Sequence, residues 1–486
     1  MTKETTPESL KVSAELEKEF AEAIKYQLTD DDIERAKLLL GIMLPSGGRE
    51  LFSEATPDAI RNWALGVGDD NPLYIDEEYG PTTRWGSQIG HGAMVGHIKT
   101  PMLGDPMPEE IKKGTKSLFR GVHVFVSGGT WDWYRPIYPG DRIFAYHGEE
   151  SLEVKQSEFA GRSVIAVSRN VCINQRGEVV GVYRVLRVMT ERKAAREKGK
   201  YAELAPAKYS DEDYAKIDAI YEAEAPRGAT PRFWEDVKVG DKLQPMVKGP
   251  LTVTEIIAFH AGGYGFVPYG LRASRVGYKN RKRIAPFYIK NENGVWDVAQ
   301  RLHWDSEWAK AIGNPMAYDY GVLRQAWFNH MVSDWAGDDA FIERLEDSIR
   351  KFNYMGDVQF LEGEVTGKRE EDGRYLVDLK MNMVNQRGTE TAYATATVSL
   401  PSKSGGMAVI KTAPVDIQRE AAQMFARHNE LLAAKRRKGS AITSSRRIRR
   451  EVDACTTCQH RFAVANHGSR HCEGTCSLRV AVCRMR

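Results

Sequence analysis

The segment Gly68–Tyr79, GDDNPLYIDEEY, places carboxylate, amide and phenol side chains directly after an apolar, helix-like run. Such groups can move protons when they lie next to a bound substrate. Asp-Asn-Pro also favours a tight surface turn, and a turn alone would explain this composition. It would not explain the related string HWDSEW at 303–308. The repetition indicates an element that the chain contains twice.

The two strings lie in two halves with the same predicted order of elements. Thr56-Pro-Asp and Thr252-x-x-Glu255 each have the residue types of a helix N-terminus. Glycine-rich turns, one of the two strings and a predicted long apolar helix follow in each half. Both halves then end in a predicted β-hairpin whose turn is Asn-Gln-Arg-Gly, at 174–177 and 385–388. We therefore expect two sheets, each wrapped on a buried helix and joined edge to edge.

Composition divides the chain into four predicted segments. Two domains at 30–190 and 231–402 carry the repeated elements, and a charged, partly helical linker at 191–230 connects or bridges them. The remaining segment, 403–486, is basic and contains five of the six cysteines. It begins with an amphipathic, helix-like stretch from Val415, and we expect the tail as a whole to be disordered.

Bulk composition argues against two partner classes. The chain is 42% hydrophobic and 28% charged, and it has no apolar run of roughly 18 residues that could span a membrane. Lys435–Arg486 carry 13 Lys and Arg against 3 Asp and Glu, a balance of +10. Because the whole chain carries +3, residues 1–434 carry −7, which gives no support for nucleic-acid binding. The N-terminus lacks the apolar core of a secretory signal, so we expect a cytoplasmic protein.

The tail cysteines suggest one metal site. Cys455 and Cys458 form one pair, Cys472 and Cys476 another, and 13 residues separate the pairs. Thiolate pairs at such spacing can hold tetrahedral zinc, and the nearby arginines could then contact phosphate. The spacing matches no known module, so we prefer a disordered or fortuitous extension without metal.

Several motifs together resemble one enzyme family. They are GDDNPLY (68–74), IGHG (89–92), RPIYPGD (135–141) and RFWEDVKVGDKLQP (232–245). Over about 30–402 the sequence resembles the MaoC-like acyl dehydratases, or (R)-specific enoyl-CoA hydratases (hydratase 2), with a FAS1-like dehydratase N-terminal half. The resemblance implies an α+β double hotdog, in which two tandem repeats each wrap an antiparallel sheet around a central helix.

The resemblance also implies a reaction. Family members add water reversibly across a trans-2-enoyl thioester, with a loop Asp and His as the acid/base pair and a glycine amide as the donor to the thioester oxygen. Carried over, the first half supplies Asp69 and Gly92, while Asn71 and Pro72 shape the loop around the substrate. The implied substrate is an acyl-CoA. No metal or redox cofactor is implied, and coenzyme A enters only as part of the substrate.

Both halves depart from the family pattern. Tyr74 occupies the position of the histidine, and a phenol with a pKa near 10 is a poor base at neutral pH. The second half has His303, but Val298 lies five residues before it and Asp297 is one position out. Neither half therefore holds a complete catalytic pair.

Three alternatives remain open at this point. Asp69, Gly92 and Tyr74 form an active site that His91 or a residue of the other half completes, or His303 and Asp297 form an altered site in the second half. In the third, the protein only binds acyl-CoA, or completes its site with the partner of a heteromeric hydratase. A homo-oligomer and a hotdog thioesterase are further alternatives.

Two tryptophans flank the predicted site. Trp131 and Trp133 alternate along a predicted strand and would share one sheet face. Core packing is the default explanation. Contact with a bulky acyl chain or ring is the more specific alternative.

Overall fold

The computed structural model describes residues 28–48, 50–116, 118–119, 122–157, 161–190, 204–265, 271–291, 293–311 and 314–437. The chain forms two compact units, Met1–Ala426 and Arg427–Arg486. The four tail cysteines of the predicted zinc site lie outside the described residues. Within the described part of the chain, none of the helices has the length and apolar character needed to cross a membrane.

The first unit is built on one ten-stranded antiparallel sheet. Its strands follow the order β1-β3-β4-β5-β2-β9-β12-β11-β10-β6, and β7 and β8 form a separate pair. The strands are β1 Leu44–Pro45, β2 His123–Trp133, β3 Phe144–Ser157, β4 Gly161–Ile173, β5 Val179–Thr190, β6 Met246–Lys248, β7 Tyr288–Lys290, β8 Trp296–Val298, β9 Phe341–Ile349, β10 Gln359–Glu371, β11 Arg374–Asn385 and β12 Glu390–Leu400.

The sheet order shows that the halves are related by an approximate two-fold. From the centre outward, β2-β5-β4-β3-β1 in one half corresponds to β9-β12-β11-β10-β6 in the other. The central strands β2 and β9 pair antiparallel, with Trp131 opposite Leu345. This pairing covers an edge that each half would expose alone. The predicted edge-to-edge joining and the double hotdog are confirmed.

Ten α-helices fall within the described residues. They are α1 Asp30–Lys37, α2 Pro57–Val67, α3 Pro72–Ile75, α4 Glu109–Gly114, α5 Asp211–Ala223, α6 Val253–Phe259, α7 Ser274–Arg283, α8 Ser306–Ala311, α9 Gly321–Ala336 and α10 at 415–437. The predicted N-terminal signals are confirmed. Thr56 caps α2 by accepting from the amide of Ala59, and Thr252 forms a capping box with Glu255 at α6.

Among the residues that the structure describes, the long central helix occurs in the second half only. Helix α9 is buried around nearly its whole circumference, as its apolar sequence predicts. In the first half the corresponding segment is a five-residue 3-10 turn, Gly92–Gly96. The expected long helix after IGHG was wrong.

Two features explain the missing helix. Glycines at both ends of the 92–96 segment disfavour a helix by about 1 kcal/mol each relative to alanine. The space is also filled by aromatic rings, since Trp131 stacks on Trp133 at 6.0 Å and on Tyr183 at 4.8 Å between ring centroids. A Cβ on Gly96 would lie 3.1 Å from the Trp131 ring.

The linker and the tail contribute more structure than their composition suggests. Within the predicted linker, α5 buries Ile217 against Val247 and Val358 beside the edge strand β6. In the predicted tail, α10 packs on the first-half sheet through Ile417 and Ala421. The predicted amphipathic helix is therefore present, and the described tail residues 403–437 are folded rather than disordered.

The corresponding helices of the two halves cross at a pair of glycines. A Cβ on Gly66 in α2 would lie 2.9 Å from the Cα of Gly262, in the π-helical segment His260–Tyr264 that extends α6. Such a distance leaves no room for a side chain unless the backbones separate. This crossing holds the start of the Asp69 loop against the second half.

We predict that Gly66→Val lowers the free energy of unfolding by about 1–3 kcal/mol, because a branched side chain forces the two backbones apart. Urea denaturation measures the change. Leu65→Ala, at an exposed neighbouring position, is the matched control and should shift stability by less than about 0.5 kcal/mol. Equal stability of Gly66→Val and wild type would contradict the close crossing.

Candidate active site

The Asp69 loop is built by three successive local motifs. Gly68 ends α2 in a left-handed conformation with φ 74°, which turns the chain sharply. The carboxylate of Asp69 then accepts from the amide of Asn71 at 3.0 Å, and the side chain of Asn71 accepts from the amide of Leu73 at 3.0 Å. Pro72 occupies the first turn of α3. The family motif thus folds as a helix end, a side-chain turn and a helix start.

This loop points Asp69 into the protein. Asp69 is fully buried, and its Oδ2 has no hydrogen-bond partner among the described residues. Burial raises the pKa of Asp69 well above the ordinary carboxyl value, although the nearby His330 opposes the rise. A carboxyl group of this kind exchanges a proton much closer to neutral pH than an exposed aspartate does.

His91 lies against the other side of Asp69. Its Nδ1 accepts from the amide of Ala93 at 3.1 Å, so the neutral ring carries its proton on Nε2. That Nε2 lies 3.7 Å from Oδ2 of Asp69, beyond hydrogen-bond distance. Burial and the charge of His330 lower the pKa of His91 to about 3. His91 therefore stays neutral and shapes the start of the 92–96 turn.

The second half contributes an imidazole that the sequence analysis missed. His330, on α9, places its Nε2 3.5 Å from Oδ1 of Asp69 and 3.2 Å from Oδ2 of Asp334. Neither ring nitrogen of His330 has a hydrogen-bond partner among the described residues. Helix α9 is held in place by Trp327, whose Nε1 donates to the carbonyl of Val67 at the end of α2 at 3.1 Å. The contact between Asp69 and His330 thus joins the two halves.

A lysine and a glutamate complete the buried cluster. Lys248 in β6 lies with its Nζ 3.0 Å from Glu224 and 3.2 Å from the carbonyl of Gly68. Glu224 is the residue that ends α5, and its Oε1 is 3.6 Å from Nε2 of His330. The predicted linker therefore supplies one member of the site. Burial lowers the pKa of His330, and the charge of Asp69 partly offsets this effect.

The cluster has two possible chemistries. Asp69, His330 and Asp334 each offer one ligand atom within 4.8 Å of the others, so they could hold a divalent cation. The ammonium group of Lys248, however, already supplies positive charge, and it acts on the pKa of all three groups. We favour proton transfer, because one imidazole and two carboxyl groups with raised pKa values can share protons near neutral pH.

A pocket opens next to this cluster. Its empty volume is about 670 Å³, including the part open to solvent. Residues of both halves line it: Asn71, Leu73, Tyr74, Trp85, Ile89, Gly90, Gly92, Trp133, Arg135, Pro136, Ile137, Asn329, Ser333, Ala336, Gly337, Asp338, Ala340, Phe341 and Ile342. Asp69 and His330 are fully buried and are not among the lining residues, but Asn71 and Asn329, close to them in sequence, are. Most of the lining side chains are apolar.

The structure brings four predicted residues to the pocket wall: Asn71, Tyr74, Gly92 and Trp133. Trp131 and Trp133 share a face, as predicted, but Trp131 is packed in the core on Tyr183. Burial and the Asp69 charge raise the pKa of Tyr74 far above its ordinary value, so its phenol stays protonated. Tyr74 can donate a hydrogen bond but cannot act as a base.

His303 lies in a different environment. Its Nδ1 contacts the carbonyl of Tyr318 at 2.7 Å, and its ring stacks on Tyr320 at 3.7 Å. In the described part of the chain no ion-pair contact within 4.0 Å joins His303 to Asp297, whose carboxylate accepts from the amide of Val298. These are the contacts of a packed histidine. The related strings at 74–79 and 303–308 each form a local turn. The carboxylate of Asp305 accepts from the amide of Trp308, and the carboxylate of Asp76 accepts from that of Glu78.

One signal in the sequence could have revealed the missed residues. In the apolar helix α9, His330 and Asp334 are four residues apart, and so are Asn329 and Ser333. Residues at this spacing share a helix face. Polar stripes on a helix that is otherwise apolar require partners inside the protein.

Comparison with known protein families finds a match in the first half of the chain, which contains the Asp69 loop. Residues 52–182 match the family model described as the FAS1-like, dehydratase domain region. A probable enoyl-CoA hydratase alpha subunit of Thermomonospora curvata is 27% identical over 135 residues, which is 26% of this chain. The chain spans 41% of that relative's length. The first half thus contains a FAS1-like dehydratase region, and the resemblance inferred from its motifs is confirmed.

Two solved structures are also similar. A MaoC-like dehydratase is 17% identical with a TM-score of 0.49, covering 75% of this chain and 99% of its own. Rv0216 of Mycobacterium tuberculosis, described as a double hotdog, is 10% identical with a TM-score of 0.43, covering 74% of this chain and 96% of its own.

We predict that Asp69→Asn stabilises the protein in a pH-dependent manner. A carboxyl group whose pKa is raised by folding contributes stability below its unfolded value, near 4, and loses it as pH rises through the folded value. The variant lacks this loss, so its advantage over wild type should grow by about 1–3 kcal/mol between pH 4.5 and pH 8. Urea midpoints at both pH values provide the measurement. An advantage that does not change with pH would contradict the buried, proton-exchanging carboxyl group.

Proposed function

We propose that the protein is a hydratase/dehydratase that adds water reversibly to an enoyl thioester, an acyl-CoA by analogy with the named relative. The observation that carries this proposal is the 3.5 Å approach of His330 Nε2 to Asp69 Oδ1, close in sequence to pocket-lining residues of both halves. The imidazole missing from the family loop is thereby replaced by one from the other half. The FAS1-like dehydratase region and the relative named as an enoyl-CoA hydratase subunit support the same class.

The reaction needs a pair that both accepts and returns a proton. In hydration, the oxygen of water bonds to C3 of the enoyl thioester, one water proton passes to the pair, and the pair delivers one proton to C2. Asp69 and His330 can accept and return a proton when they hold one proton between them. That proton lies on the carboxyl group, whose pKa is raised, or on the imidazole. Dehydration runs the same transfers in reverse. No metal or redox group is required.

The remaining pocket residues have matching roles. Tyr74, which stays protonated, donates a hydrogen bond to the water or to the 3-hydroxyl group of the product. The apolar wall that includes Trp85, Trp133 and Phe341 fits an acyl chain. Lys248 and Glu224, which do not line the pocket, form an ion pair at 3.0 Å beside the cluster.

A second candidate is a subunit that binds the thioester and completes its site with a partner. The curated relative is named an alpha subunit. The Asp69–His330 contact argues for a site that one chain completes by itself. A thioesterase is a weaker candidate, because the matched family region and the named relative are both of the hydratase/dehydratase class.

Kinetics of single variants test the assignment. Loss of the conjugated-bond absorbance of an enoyl-CoA measures hydration across a panel of chain lengths. We predict that Asp69→Asn and His330→Asn each lower kcat by about 10²–10⁴. His303→Ala, a buried histidine outside the cluster, is the matched control and should retain activity.

EDTA should leave the rate unchanged, and kcat/KM should be bell-shaped against pH because only the one-proton pair is active.

The alternatives give different results in the same assay. Binding of enoyl-CoA without turnover by the chain alone would support the incomplete subunit. Release of free thiol from a saturated acyl-CoA would support the thioesterase. Loss of hydration in His303→Ala but not in Asp69→Asn would move the site to the second half.

A further inference from the structure

Asn329 is a buried amide that presents an unused donor and an unused acceptor to the pocket. It is 1% exposed and lines the pocket wall on α9, one residue before His330. Neither its Nδ2 nor its Oδ1 has a hydrogen-bond partner among the described residues. A buried amide without partners is costly, so it is retained where a ligand supplies them.

Neighbouring polar groups on the same wall are already engaged. Ser333 donates to the carbonyl of His330 at 2.9 Å, and Asn71 accepts from the amide of Leu73. The carbonyl of Gly92 accepts from Nε1 of Trp133 at 2.9 Å. Among the described residues that line the pocket, Asn329 has both of its polar side-chain atoms buried and unpartnered.

The position of Asn329 next to Gly92 shows which part of a ligand it would meet. A Cβ on Gly92 would lie 2.9 Å from Nδ2 of Asn329, so the glycine leaves room for the amide at this point. The 92–96 turn is too short to concentrate helix dipoles at its first amide. The side chain of Asn329 therefore offers a donor where the long first-half helix is missing.

We propose that Nδ2 of Asn329 donates to the thioester oxygen of the substrate and stabilises the negative charge that this oxygen gathers as C2 exchanges its proton. This inference rests on the proposed hydratase function and names a further catalytic residue for it. Since His330 is the next residue on α9, one rigid helix fixes the oxygen donor and the imidazole relative to each other. Oδ1 of Asn329 is free to accept from the attacking water.

The test combines kinetics with stability. Asn329→Leu keeps the shape of the side chain and removes both hydrogen-bonding atoms. It should lower kcat by about 10²–10³, the usual effect of removing one such donor, with little change in KM. Without ligand, the variant should be at least as stable as wild type in thermal unfolding, because an unpartnered buried amide has been removed.

Gln325, one turn earlier on α9, supplies the matched control. It is also a buried amide, but its Nε2 donates to Asp347 at 2.8 Å. Gln325→Leu should lower the melting temperature and leave kcat nearly unchanged. A purely structural Asn329 would give the pattern of Gln325, loss of stability with activity retained, and would overturn the inference.

A spectroscopic arm separates this inference from the proposed function. The carbonyl stretching band of hexanoyl-CoA labelled at the thioester carbon should lie at lower frequency when bound to wild type than when bound to Asn329→Leu. That shift without any hydration activity would keep the oxygen donor and reject the hydratase. Hydration by wild type with neither kcat nor the band altered in Asn329→Leu would reject the donor alone.

Discussion

The protein depends on one buried contact between a carboxyl group and an imidazole that belong to different halves of the chain. Asp69 and His330 are both fully buried, and neither the loop nor the helix alone contains both groups. Burial raises the pKa of Asp69 and lowers the pKa of His330. The two groups therefore compete for a proton in a way that exposed groups would not. The joined sheet, the Gly66–Gly262 crossing and the Trp327 hydrogen bond all keep this contact in place.

The two halves differ in structure in complementary ways. The first half keeps the Asp69 loop but has only a 3-10 turn where the long helix should be. The second half keeps the helix, and its own histidine, His303, is packed on Tyr320. The first half is thus a hotdog without its long helix, and residues of both halves line the pocket. The linker takes part as well, because Glu224 at the end of α5 reaches the cluster.

Local patterns made much of the fold predictable. The capping signals at Thr56 and Thr252 and the paired Asn-Gln-Arg-Gly turns all depend on neighbours in sequence, and all were confirmed. The missing first-half helix had a local signal in Gly92 and Gly96, but the stacking of Trp131 on Tyr183 that fills its space depends on contacts distant in sequence. The loop residues of the site followed from a motif, whereas His330 and Asn329 lie near Asp69 and Gly92 across about 240 to 260 residues of sequence. Such pairings have no local signature beyond polar residues on an apolar helix.

The most direct measurement is a titration of the His330 imidazole by NMR in wild type and in Asp69→Asn. The charge of Asp69 raises the pKa of His330 against the effect of burial. If the two groups share a proton, the pKa of His330 falls when Asp69 loses its charge. An unchanged His330 titration in Asp69→Asn would contradict the account, because the two side chains would then not act as one pair.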